Sequence, residues 1–267
     1  MHDGELLTEM VPAPATGRSF AREMRPLLAD CSPTGRMRLD GIARWIQEIA
    51  YADIEDAGLL RESIWMVRRT RIKVLRFPRF AERVQVLTFA SGIRRMWAER
   101  RTTVRALPEA DGATGQGQGG DAGEALVEAV TLWIHIDPER RLPGPLTEQE
   151  VATYTEAAGH RHFRHRLTHP RPDGARADAS WRFRRTDCDL ADHVNNAAYW
   201  EVLEEELLTA EGELCEIDAE LEFRAPAQPG PVDVLRDGDF RWLVDPESGE
   251  VYVSMLVTNA RTGPRPG

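Results

Sequence analysis

The amino-acid sequence predicts an α+β protein built from one unit used twice, each unit a helix followed by an antiparallel meander of long strands. Three observations carry this. A helical apolar repeat is followed by runs that alternate apolar and polar residues. The same order recurs after an intervening basic segment. Residues 29–50 align without gaps on residues 186–207, an offset of 157, so that Asp30-Cys31 meets Asp187-Cys188 and Met37 meets Val194.

The totals set the frame. A chain of 267 residues, 42% hydrophobic and with seven tryptophans, can bury a sizeable core. Its net charge of −10 argues against nucleic acid as a partner. No apolar run approaches the ~20 residues that span a bilayer. MHDGELLTEMVPAPATG carries acids where a signal peptide carries bases. The expectation is a cytoplasmic chain without membrane insertion, its first 17 residues a loose tail. Cys31, Cys188 and Cys215 show neither CxxC nor metal-ligand spacing, so reduced thiols are expected and no metal or cofactor is called for.

Taken in order, LDGIARWIQEIAYADIEDAG opens the first unit. Leu39, Ile42, Trp45 or Ile46, Ile49 and Ala50 recur at helical spacing, and Gly58 is the stop. Strands follow at SIWMVRRTRIKVLRF, RVQVLTFASGI, MWAERRTTVRAL and EALVEAVTLWIHID, the last two joined by the Gly-rich loop at 108–123. Residues 138–179 hold a short helix and then RHFRHRLTHPRPDGARADA, read either as a solvated linker or as a basic patch for an acidic partner. The second unit starts at WRFRR, passes through RTDCDLADHVNN, and continues as a helix in NNAAYWEVLEEELLTAEG. Tyr199, Leu203 and Leu207 share that helix's apolar face, and Glu204, Glu205 and Glu206 are expected on its solvated one. Strands resume at CEIDAELEFRAPA, VDVLRDGDFRWLV and EVYVSMLVTNAR.

The motif D-x-D-x-x-x-H-V-N-N-x-x-Y, formed by Asp187, Asp189, His193, Val194, Asn195, Asn196 and Tyr199, leads into a helix wrapped by strands. With EFRAPAQPG downstream and RMRLDGIARWIQEIA, WMVRRTRIKVLRFPRFAERVQV and WAERRT upstream, the chain resembles the acyl-acyl-carrier-protein thioesterases, on their bacterial side. The resemblance covers roughly residues 18–262. It implies two tandem hotdog domains packed as an intramolecular pseudo-dimer: 15–140, a linker at 141–176, and 177–265. It also implies hydrolysis of a fatty acyl thioester of acyl carrier protein or coenzyme A, with a homodimer left open. Asp189 is at the place of the family's acid.

The residues themselves fit that chemistry. A carboxylate and an imidazole four apart can position water and move its proton, and a helix start offers unpaired amides, here around Val194 to Asn196, for an oxyanion. No GxSxG motif supplies a serine nucleophile. Asp189 and His193 are therefore the expected catalytic pair. Asn195, Asn196, Val194, Tyr199, Trp45 and Ile49 are expected to bind substrate, with Ile46 and Trp65 as further lining. Ser32 and Arg36 stand where the second unit has Asp189 and His193, so the first half is expected to form the acyl pocket without a catalytic acid. Two departures from the plant pattern keep other readings open: Ala191 replaces an asparagine, and Phe223-Arg224-Ala225-Pro226-Ala227 lacks a glutamate and a cysteine. The alternatives are a non-catalytic acyl-thioester-binding or regulatory protein and, third, a dehydratase.

Overall fold

A computed structural model describes residues 7–60, 64–108, 123–208 and 212–264; most of the Gly-rich loop expected at 108–123 lies outside the described residues. The first unit is β1 (Ser19–Met24), α1 (Leu39–Asp56), β2 (Ile64–Val74), β3 (Val84–Arg94), β4 (Trp97–Ala106) and β5 (Ala125–Asp137). The connection holds a short β6 (Leu142–Pro143) and α2 (Glu148–Ala158). The second unit is β7 (Arg176–Phe183), α3 (Ala198–Leu208), β8 (Glu213–Phe223), β9 (Gly230–Asp237), β10 (Phe240–Val244) and β11 (Val251–Gly263).

The strands form one antiparallel sheet ordered β1-β3-β4-β5-β2-β8-β11-β10-β9-β7, with β6 beside β5. The order read outward from the β2–β8 seam is the same in both directions, which is the pattern of two tandem hotdog domains. At the seam β2 pairs antiparallel with β8, Ile72 opposite Ala219 and Val74 opposite Ile217. Helices α1 and α3 pack on each other and on the sheet. One apolar cluster runs through both, from Leu39, Ile42, Trp45 and Ile49 to Tyr199, Trp200 and Leu203. Burying each such side chain stabilises by about 1.5–3 kcal/mol, so this shared core binds the halves together.

Several sequence expectations change in the fold. Strand β1 was not evident, because SFAREM is an edge strand with only its second and sixth residues, Phe20 and Met24, partly buried. VDVLRDGDFRWLV, expected as one strand, is the β9–β10 hairpin, turning at Gly238 with φ 54°. The tail is not loose from residue 7 on. The Thr8 N–H donates to Glu220 Oε2 at 2.9 Å, and Val11 O accepts from Arg101 at 3.0 Å.

The connection is likewise anchored rather than solvated. Helix α2 starts at a capping box in which Thr147 and Glu150 exchange bonds of 3.2 and 2.7 Å. Phe163 and His169 are buried, and the carbonyls of Arg164 and Arg166 accept from Arg69. Beneath this segment, on the seam, Glu222 accepts from the Thr168 and His169 amides and pairs with Arg69 and Arg224. His169, Glu220 and Glu222 bring ligand atoms within 4.8 Å of one another, but Glu222 is saturated by these donors and Arg69 is already the cation of the cluster. Its role is to tie the connection to the seam. Arg69 and Arg71 are both paired at the seam, Arg69 with Glu222 and Arg71 with Asp218 at 2.7 Å. Among the described residues, no helix is long and apolar enough to cross a membrane.

Candidate active site

The chain leaves β7 through a single helical turn whose shape is set by Asp187: its carboxylate accepts the Arg184 N–H at 2.7 Å. Cys188 then pairs with Val194 in an isolated bridge. The Asp189 N–H donates to His193 O at 3.1 Å and the Asp192 N–H to Asp189 O at 3.1 Å, closing a tight loop. Asp192 at its tip has φ 59°, a conformation that aspartate tolerates better than most residues. The Asn195 N–H returns to Asp187 O at 2.8 Å, and the Val194 N–H crosses to Ala227 O at 3.0 Å. Tyr199 fixes that last segment, its hydroxyl accepting the Ala227 N–H at 3.1 Å.

This frame presents a small set of polar groups. Asp189 is 30% exposed and accepts from the Ala191 N–H at 2.9 Å and from Asn195 Nδ2 at 3.1 Å. His193, 27% exposed, has Nδ1 4.0 Å from Asp189 Oδ1, beyond hydrogen-bond length, and 3.4 Å from Val194 O. Asn195 caps the helix through its Oδ1, which accepts the Ala197 N–H at 2.8 Å. Its Nδ2 also donates to Gln47 Oε1 of α1 at 3.3 Å. The amides of Val194 and Asn195, expected as oxyanion donors, are thus spent on backbone carbonyls, and that of Ala197 on its cap. The Asn196 N–H has no partner among the described residues.

The first half repeats the frame bond for bond. Asp30 accepts the Leu27 N–H at 3.1 Å, Cys31 bridges Met37, Ser32 donates to Arg36 O at 2.8 Å, and Gly35 donates to Ser32 O at 2.9 Å with φ 81°. Met37 crosses to Pro78 O at 2.8 Å and Arg38 returns to Asp30 O at 2.8 Å. Its contents differ. Arg36, buried, lies over the Phe77 ring and donates to Glu204 at 2.7 Å. The Leu39 N–H, the match of Asn196, donates to Glu204 Oε2 at 3.0 Å. Glu204, expected in solvent, is the buried partner of this half; Glu206 is also paired, with Arg241 at 2.6 Å.

Comparison with known proteins falls on the same two halves. The model of the acyl-ACP thioesterase N-terminal domain matches residues 17–154, and that of the C-terminal domain matches residues 171–236. The chain belongs to the acyl-ACP thioesterase family. It is a thioester hydrolase by that membership. An uncharacterised protein of Mycobacterium tuberculosis is 27% identical over 238 residues, 88% of each chain. Among solved structures, a protein assigned as an oleoyl thioesterase from Lactobacillus plantarum superposes with a TM-score of 0.72 at 20% identity, covering 94% of this chain and 98% of that one. The 12:0-ACP thioesterase from Umbellularia californica gives 0.67 at 16%, covering 94% and 100%. At these identities the structures establish the shared fold.

Within this acyl-ACP thioesterase fold, Asp189, His193, Asn195 and Asn196 come together at one loop and helix start. Val194 and Tyr199 do not face the site. Both are core residues, Tyr199 edge-on to Phe183 and Phe223, and burial pushes its hydroxyl pKa well up. Trp45 and Ile49 also point into the core rather than into a pocket. The apolar pocket beside α1 is walled by Ala50, Tyr51, Ile54, Trp65, Trp133 and Tyr154, because the Ala50–Ile54 stripe is turned away from the Trp45–Ile49 stripe. Of the expected lining, Trp65 is there.

Two residues escaped sequence reasoning: Gln47 and Tyr51. Tyr51 borders both the apolar pocket and an open groove that holds Gln47 and Asn195. Its hydroxyl pKa is raised by burial and then by the Asp189 charge. The available signal for Gln47 was its match to Glu204 at the offset of 157.

Proposed function

We propose that this protein hydrolyses a fatty acyl thioester of acyl carrier protein or coenzyme A at a single site per chain, with Asp189 as general base. The partly exposed carboxylate of Asp189, one hydrogen bond from the helix start that carries an unclaimed amide, is the observation that supports this most. Asp189 takes a proton from water as the water oxygen attacks the thioester carbon. The carbonyl oxygen becomes an oxyanion on the Asn196 N–H. Collapse then breaks the C–S bond, and the proton passes from Asp189 to the thiolate sulfur. His193 orients the water or the thioester. The N-terminal domain, about residues 15–140, contributes the apolar pocket, and the C-terminal domain, about 177–265, contributes the acid. Tyr51 at the meeting of pocket and groove marks the route between them.

The test is thiol release from a panel of acyl-ACP and acyl-CoA thioesters of short to long chains. Turnover that Asp189→Asn reduces by about 10²-fold or more supports the reading. A second reading, a non-catalytic acyl-thioester binder, draws on Ala191 and on Arg224-Ala225-Pro226 in place of further catalytic groups. Saturable binding with no thiol released from any substrate would select it.

A further inference from the structure

We propose that Gln47, from helix α1 of the N-terminal domain, is a catalytic residue whose Nε2–H holds the thioester carbonyl oxygen together with the Asn196 N–H. The proposal rests on the reading of Asp189 above.

Two independent observations lead here. The first is local. Gln47 Oε1 accepts from Asn195 Nδ2 at 3.3 Å, and the same Nδ2 donates to Asp189 Oδ2 at 3.1 Å. Asn195 therefore fixes the acceptor end of Gln47 against the catalytic loop. The amide's donor end is left with no partner among the described residues, in a groove that Gln47 lines with Tyr51 and Asn195.

The second comes from the duplicate. Position 204 matches position 47 at the offset of 157. In the first-half loop, Glu204 Oε2 sits on the Leu39 N–H at 3.0 Å, with Arg36 Nη2 on its other oxygen at 2.7 Å. A negatively charged oxygen thus occupies the acceptor position in front of that helix start, held by a backbone amide and a cation. In the second half the equivalent amide, Asn196 N–H, is unclaimed, the cation is replaced by His193, and the facing acid is replaced by a neutral amide. Glutamate fills the position with its own oxygen, whereas glutamine leaves it to a ligand and can donate to it. The thioester carbonyl oxygen, which gains charge in the transition state, is the matching ligand.

The experiment compares Gln47→Met, Gln47→Ala and Gln47→Glu in the full chain, using acyl-CoA thiol release, thermal unfolding and amide NMR. Gln47→Met keeps the length and loses the donor; it is expected to lower kcat by about 10²-fold with little change in KM, the scale of losing one oxyanion donor. Gln47→Glu is expected to be slower still, and its carboxylate should move the Asn196 amide proton downfield, a change that Gln47→Met does not produce. Wild-type kcat in folded Gln47→Met and Gln47→Ala would overturn the proposal. So would an unmoved Asn196 amide together with an active Gln47→Glu. If these variants are active while Asp189→Asn is not, Gln47 fails alone; if Asp189→Asn is fully active, the function reading itself fails.

Discussion

The loops at 30–39 and 187–196 share a backbone and differ in what they enclose. Each is closed by the same set of main-chain bonds, each carries an aspartate that folds back on the preceding turn, and each crosses to the segment before a strand of its own meander. In the first, the side chains satisfy one another: Arg36 meets Glu204, and the Leu39 amide is covered. In the second, Asp189 and His193 keep a quarter or more of their surface and the Asn196 amide is open. The difference teaches that one backbone frame can carry two different sets of polar side chains. One half has turned its polar groups inward, where they add to packing, and the other has left them partly exposed.

The comparison can be broken or sharpened by substitution. The largest expected effect is catalytic: Asp189→Asn lowers kcat by about 10²–10⁴-fold, measured by thiol release with unfolding as a control. Full activity there would make the two loops equally inert. A tight-binding active-site inhibitor should titrate one equivalent per chain, and two equivalents would erase the asymmetry. Next is stability. Glu204→Ala strands Arg36 in the core and should cost about 3–5 kcal/mol in denaturant unfolding, the range for breaking a buried pair. A loss well under 1 kcal/mol would mean that the first loop is not held by that pair. The smallest effect is at the loop tips. Gly35→Ala puts a Cβ at φ 81° and should cost about 1–2 kcal/mol. Asp192→Gly, at the matching tip, should be neutral or stabilising by up to about 1 kcal/mol. Equal costs at both tips would count against the shared frame.

Much of this frame was legible in the sequence, because it is local. Asp30, Cys31 and Gly35 and their matches act on neighbours within a few residues, so their spacing carries the loop. The family motif likewise placed Asp189, His193 and Asn195 together. The contacts that distinguish the halves were not legible. Arg36 reaches Glu204 across 168 residues and Asn195 reaches Gln47 across 148, and both depend on how α1 packs on α3. The glutamates of α3 read as a solvated face because nothing in their own helix reveals a second helix against it. Trp45 and Ile49 were assigned to a pocket because apolar periodicity locates a buried face without separating core from cavity. The anchoring of the tail and of the connection was hidden for a related reason: their polar residues bond to the seam, and composition alone reads them as exposed.

The strap formed by the N-terminal residues has a consequence for assembly on the ribosome. Thr8 binds Glu220, 212 residues later in the chain, and Arg71 holds both Thr8 O and Asp218. Neither acid exists when the first hotdog domain has already emerged, so Thr8 must wait for its partner while Val11 can already meet Arg101. Thr8 therefore finds its partner only once β8 has been made, and the β2–β8 seam is sealed no earlier than that.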